Sequence, residues 1–190
     1  MRLNAQELRQ LDTDMPLPQL KRHPLFLILD NVYDTYNIGG LFRLADALAM
    51  KKIYLCGQTE TPPHHKIKKA SIGTYKIVPW EYAHTTIEAI EKLTPIKSGL
   101  KMKNEKLQRK ITIIAIEQHK KALPYNTVEY QYPLALIVGN ETSGISQEVL
   151  NECDTIVEIP MHGINTSLNV IVSAGIVGYH IISTSSLVAK

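Results

Sequence analysis

The sequence predicts an α/β fold: a mostly parallel open sheet with helices on both faces. Three observations carry this. Short apolar runs alternate with helical patterns along the chain. The strand runs are continuously apolar, as strands covered on both faces require. The connections between them have helical periodicity, which parallel strands need for their crossovers.

The elements follow in order. Residues 4–11 read as a short helix with Asn4 as N-cap. Pro16, Pro18 and Pro24 mark a linker, so 1–24 reads as a helix plus linker and 25–190 as the main domain. Strands are expected at Leu25–Leu29, Ile53–Cys56, Tyr75–Val78, Ile111–Ile116, Leu134–Val138 and Ile156–Ile159. Helices are expected at Asn37–Met50, Lys66–Ser71, Ala83–Leu93, Ser146–Glu152 and Ser167–Ile182. Lys97 to Lys110 is polar and basic and reads as a mobile loop.

Composition excludes several classes. A chain of 190 residues, 44% hydrophobic and 21% charged, builds an ordinary core. Met1 to Leu11 has no apolar stretch of the secretory type, and no run is long enough to span a membrane. Two cysteines, Cys56 and Cys153, make neither a disulfide framework nor a zinc site. A cytoplasmic protein without metal is expected. Net charge is +3, unevenly spread. Residues 1–50 carry 5 basic and 6 acidic side chains, 51–121 carry 15 and 6, and 122–190 carry 1 and 6. The middle balance of +9 fits a surface for a polyanion. A solvated lysine-rich face gives the same counts.

In open parallel sheets, ligands bind beyond the carboxyl ends of the strands, which directs attention to three segments. In DNVYDTYNIGGLFRLADALAM, residues 30–50, Asn37 reads as an N-cap. Ile38, Leu41, Phe42, Ala45, Leu48 and Ala49 form an apolar stripe, with Arg43 roughly opposite. Gly39 and Gly40 cost a helix about 1 kcal/mol each relative to alanine. They imply either a ligand close to the backbone or another element packed there. In LALIVGNETSGIS, residues 134–146, an apolar strand stops at Gly139, and Glu141 and Gly144 follow. No G-x-G-x-x-G and no G-K-[ST] occurs, which disfavours dinucleotide and P-loop chemistry. In VEIPMHGINTSLNVIVSAGIVGYHII, residues 157–182, the final helix is apolar almost all round. Such a helix is buried on every side. A second copy of the chain would cover it, or other helices of the same chain would. Asn169 is its polar exception.

Together, in this order, these segments resemble the three motifs of the SpoU (TrmH) family of RNA 2′-O-ribose methyltransferases. The match runs through Asn37, Gly39 and Arg43; then Gly139, Asn140, Glu141 and Gly144; then Ile159, Pro160, Met161, Gly163, Ser167, Leu168 and Asn169. Lys69, Ala70, Ser71 and Gly73 are also similar to the family pattern. The resemblance covers residues 25–183. It implies the SPOUT fold with a C-terminal trefoil knot, a homodimer, and S-adenosylmethionine against Gly139, Ile159, Met161, Leu168 and Asn169. Ile116 and Glu117 would add to the adenosine pocket. It further implies that Arg43 serves the target ribose hydroxyl of a tRNA or rRNA, with Asn37, Glu141, Ser167 and Asn169 holding the site together.

A guanidinium offers donors only, so the expected role of Arg43 is to orient phosphate and hydroxyl and to stabilise developing negative charge. An RNA phosphate would take the proton. Lys66, Lys68 and Lys69 are candidate phosphate contacts. His64, His65, His162 and Trp80 are read as structural or solvated. Two rivals stand beside this reading: a base-methylating enzyme of the same fold, and a catalytically silent RNA-binding homologue. The larger relatives carry an additional N-terminal RNA-binding domain. RNA recognition here is therefore expected from the catalytic domain, its dimer and the 97–110 loop.

Overall fold

The structure, a computed structural model, describes residues 3–11, 20–94 and 111–185. The expected 97–110 loop lies outside the described residues, as does most of the 12–24 linker. Seven strands form one sheet: β1 (His23–Asp30), β2 (Met50–Cys56), β3 (Trp80–Ala83), β4 (Thr112–Ile116), β5 (Leu123–Pro124), β6 (Leu134–Val138) and β7 (Thr155–Glu158). Their order is β3-β2-β1-β6-β4-β7-β5, and every pairing is parallel. Among the described residues the α-helices are α1 (Ala5–Gln10), α2 (Thr35–Ala47), α3 (His65–Ser71), α4 (Thr86–Leu93), α5 (Gln147–Glu152) and α6 (Val170–Thr184).

Alternate side chains of each central strand feed opposite faces of the sheet. Leu25, Leu27 and Leu29 of β1 pack with Phe42 of α2 and with Ala174, Val177 and Ile181 of α6. Ile28 of the same strand packs with Ala89 and Ile90 of α4 and with Val149 and Leu150 of α5. Register aligns the strand ends: Leu29 pairs with Val138, and Ala115 with Ile137. The loops after β1, β4, β6 and β7 therefore emerge along one edge.

Several boundaries differ from those expected. Helix α2 is capped by Asp34, whose side chain accepts from Tyr36 N, and Asn37 lies inside it. Met50 belongs to β2. The expected strand at Tyr75–Val78 is a 3-10 turn, Thr74–Lys76, and the strand follows at Trp80. Ile72 and Gly73 adopt φ of 56° and 95°, which turns the chain sharply, and Thr74 Oγ1 closes the turn on Ser71 O at 2.8 Å. Ala83 ends β3, so α4 begins at Thr86. Ser167 precedes α6, which Asn169 caps. The two-residue β5 has no sequence signal of its own.

Helix α1 carries the predicted cap, a reciprocal pair between Asn4 and Glu7. It sits against the turn at Gly73, where a Cβ would strike the Leu8 carbonyl. Lys76 Nζ donates to Arg9 O and Leu11 O at 3.2 and 2.7 Å, satisfying the helix's terminal carbonyls.

The glycines of α2 are packing sites. A Cβ on Gly39 would lie 2.5 Å from Ala70 Cβ and 2.9 Å from Ser71 N, so α3 touches the α2 backbone there. A Cβ on Gly40 would meet the end of the Ile171 side chain. Helix α6 is only half covered by the described residues: Ala174, Val177 and Ile181 are buried, whereas Val172 and Tyr179 are 47% and 56% exposed. Among the described residues no helix is long and apolar enough to cross a membrane.

Candidate functional site

The loop after β6 is folded back on itself. A Cβ on Gly139 would lie 2.6 Å from Ile145 N, so only glycine allows this approach. Asn140 and Gly144 exchange backbone hydrogen bonds at 3.2 and 3.0 Å. Asn140 Oδ1 accepts from Thr142 N and Ser143 N, and its Nδ2 donates to Asn31 O at 2.9 Å, tying the loop to the end of β1. Gly144 has φ of 67°, and a Cβ there would collide with the Glu117 carboxylate. That carboxylate accepts from Ile145 N at 2.8 Å, joining the end of β4 to the same loop.

A second set of bonds reaches from this loop to α2 and α6. Glu141 accepts from Tyr33 N and Asp34 N, both at 3.2 Å, and from Asn37 Nδ2 at 2.9 Å. Burial by itself would raise the Glu141 pKa. The bonds from Asn37, Tyr33 and Asp34 outweigh it and hold the carboxyl below its ordinary value. Asn37 Oδ1 in turn accepts from Asn169 Nδ2 at 2.9 Å, while Asn169 Oδ1 caps α6 by accepting from Ile171 N. One side-chain relay thus connects the β6 loop, the start of α2 and the start of α6.

Around it opens a cleft of about 380 Å³ at the carboxyl ends of β4, β6 and β7. Ile116, Glu117, Gly139, Ile159, Met161, Leu168 and Asn169 all line it, and so do Glu141 and Ser167. Asn37 stands behind it, 6% exposed, bonded to two lining residues. Arg43 does not line the cleft. It lies on the exposed face of α2, six residues beyond Asn37, and makes no hydrogen bond or ion pair among the described residues. Six residues advance a helix by about 9 Å.

Sequence reasoning did not single out Gln118, Thr142, Asn165 or Ser173, which also line the cleft. Gln118 Nε2 donates to Ile159 O at 3.0 Å, linking the loops after β4 and β7. Their one signal is position, since each lies close to a strand end or helix start already identified. His64 caps α3 by accepting from Lys66 N and lies against His65, and Trp80 packs on the core. Among the described residues no group of three or more His, Cys, Asp or Glu could hold a metal ion.

Comparison with known proteins agrees with this geometry. Residues 24–179 match the model of the SpoU rRNA Methylase family. A tRNA (guanosine(18)-2′-O)-methyltransferase of Aquifex aeolicus is 31% identical over 159 residues, covering 84% of this chain and 69% of the relative. A 23S rRNA (guanosine-2′-O-)-methyltransferase of Ralstonia nicotianae is 26% identical, covering 94% and 66%. The chain thus spans about two thirds of the length of these curated relatives. The crystal structure of an AdoMet-bound rRNA methyltransferase from Sinorhizobium meliloti superposes with a TM-score of 0.71 at 25% identity, covering 93% of this chain and 59% of that one. With its parallel sheet, its three linked motif segments and this family match over most of its length, the chain belongs to the SpoU rRNA methylase family.

Proposed function

We propose that this chain is an S-adenosylmethionine-dependent methyltransferase that modifies a ribose 2′-hydroxyl of tRNA or rRNA, working in the cytoplasm as a knotted homodimer. The observation that carries the proposal is the relay from Glu141 through Asn37 to Asn169, which ties the helix bearing Arg43 to the wall of the cleft.

The cleft suits the cofactor on its own chemistry. Its volume falls within the range of small-molecule sites. Ile116, Ile159, Met161 and Leu168 offer apolar surface for an adenine ring. Leu168 is 39% exposed although apolar, so a bound ring would cover it. The Glu117, Glu141 and Glu158 carboxylates and the Ser167 and Asn169 side chains give an acceptor-rich rim, which suits the positive charge of a sulfonium and an amino group. When bound, the cofactor supplies a methyl group on a sulphur that leaves as a neutral thioether.

The chain's own residues supply the rest. Arg43 binds the phosphate next to the target ribose and orients the hydroxyl, and its charge stabilises the oxyanion that develops as the proton leaves. The phosphate oxygen held by Arg43 receives that proton. Asn37, Glu141 and Asn169 keep the first turn of α2 in register with the cleft, and Ser167 holds the loop that leads into α6. The exposed Val172 and Tyr179, seven residues apart on one face of α6, would be covered by the same face of a second copy.

The test is to incubate the purified protein with total RNA and methyl-labelled S-adenosylmethionine, then digest the RNA to nucleosides. Label in 2′-O-methyl nucleosides is expected. Label in a base would move the activity to the base-methylating class. No transfer, with no cofactor binding by calorimetry, would refute an enzyme. Sedimentation of the same preparation should give twice the chain mass.

A further inference from the structure

We propose that Tyr36, together with Tyr33, is a stacking platform for an unpaired RNA base next to the methylation site, on the same face of α2 as Arg43. This rests on the reading of the chain as an RNA methyltransferase. It adds how this domain would grip a nucleotide.

The placement follows from helix geometry. Tyr36 and Arg43 are seven residues apart on α2, so they lie about 20° apart around the axis and roughly 10 Å apart along it. The residues between them in this row are Gly39 and Gly40, which carry no side chains. Ala70 of α3 packs on Gly39, and Ile171 of α6 on Gly40. Helix α3 and the first turn of α6 thus cover the middle of the row, and its two ends, Tyr36 and Arg43, stay exposed. An aromatic ring stands at one end and a guanidinium at the other.

The tyrosines are not explained by the protein's own packing. Tyr33 and Tyr36 are 53% and 49% exposed, and neither ring contacts another aromatic ring among the described residues. Yet the backbone that carries them is fixed. Glu141 accepts from Tyr33 N, and Asp34 Oδ1 accepts from Tyr36 N at 2.8 Å. Rings on a pinned backbone lose little freedom on binding. Single exposed aromatics are ordinary. Here Tyr33 N is bonded to Glu141, which lines the cleft, and Tyr36 shares its helix face with an exposed arginine.

Charge selects the occupant. Lys66 lies one turn from Ala70 on the α3 row that touches Gly39, and Lys66, Lys68 and Lys69 are exposed. An anionic chain with flat apolar faces fits a surface that joins exposed lysines on α3 to exposed tyrosines. Single-stranded RNA is such a chain, and its bases stack on tyrosine irrespective of sequence.

The test uses the whole chain and two fluorescent probes of equal length and charge at one fixed salt concentration: a ten-nucleotide oligouridylate and a ten-unit abasic ribose-phosphate strand. Wild type should bind the oligouridylate more tightly. Replacing both tyrosines by alanine should weaken oligouridylate binding about tenfold or more and leave the abasic strand unchanged. Tyr36→Phe should stay within about twofold of wild type. Cofactor affinity and sedimentation mass should not move.

Equal loss on both probes, no loss on either, or a change of mass would overturn the platform; the last would mean that a second copy covers these rings. Methyl transfer to total RNA, measured in parallel, separates the two proposals. Base preference without transfer keeps the platform and removes the enzyme. Transfer by the double variant with an unaltered KM for RNA keeps the enzyme and removes the platform.

Discussion

Asn169 donates its side-chain amide to Asn37 Oδ1 at 2.9 Å, across 132 residues of chain. The direction of this bond is set from outside it. A carboxylate only accepts, so Glu141 obliges Asn37 to present its Nδ2, which leaves Asn37 Oδ1 facing Asn169. Asn169 must then donate through Nδ2, and its Oδ1 is free to cap α6 at Ile171 N. Asn169→Asp tests the relay apart from the cap. Aspartate caps a helix as well as asparagine does, but it offers Asn37 no donor. The variant should lose only about 1 kcal/mol in urea unfolding, while its cofactor affinity by calorimetry falls about tenfold. Equal affinity in the variant would show that the relay does not shape the cleft.

Arg43 stands on the helix anchored by that relay, yet outside the cleft. Cofactor binding and methyl transfer should therefore separate in Arg43→Ala. Calorimetry should find cofactor affinity within about twofold of wild type. Single-turnover transfer to RNA should fall at least about a hundredfold, the scale for losing a charged stabiliser of a developing oxyanion. Transfer near the wild-type rate would remove Arg43 from the chemistry.

The sheet was legible because buried parallel strands have a plain signature. Leu134–Val138 was read to the residue, and every side chain in it is buried. The expected pocket residues converge on one cleft because they cluster at strand ends, where this architecture puts its ligands. What the sequence hid was set by tertiary contacts. Asn37 looked like a cap because asparagine favours that position, but Asp34 takes it and leaves Asn37 for Glu141. Ser167 looked like a helix start, but the cap belongs to the residue that also reaches Asn37. Tyr75–Val78 has the composition of a strand, and left-handed backbone at Ile72 and Gly73 makes it a turn.

Helix propensity alone favours alanine at both Gly39 and Gly40 by about 1 kcal/mol, but packing separates the two positions. At Gly39 the obstacle is the Ala70 Cβ and the Ser71 main chain, neither of which can swing aside. Overpacking of this kind costs about 1–3 kcal/mol against a propensity gain of about 1 kcal/mol, so Gly39→Ala should lower stability by up to about 2 kcal/mol. At Gly40 the obstacle is the tip of Ile171, whose Cδ1 can swing aside about χ2 although χ1 is fixed in the helix. Gly40→Ala should change the urea midpoint far less. A stabilised Gly39→Ala protein would mean that α3 does not press on α2.

Glu141 gives the fold a defined acid sensitivity. Its folded pKa is held below the ordinary 4.5: burial would raise it, but the hydrogen bonds from Asn37, Tyr33 and Asp34 lower it further. A depressed carboxyl stabilises the fold above its unfolded value, and that contribution is lost as pH falls through the folded value. Glu141→Gln removes the titration. It also turns one acceptor into a donor facing backbone N–H groups that need acceptors. The variant should be less stable than wild type at pH 7, and the gap between their urea midpoints should close as pH drops below 4.5 towards 3. A gap that stays constant over that range would show that the carboxylate charge contributes nothing, leaving only the geometry of the loop.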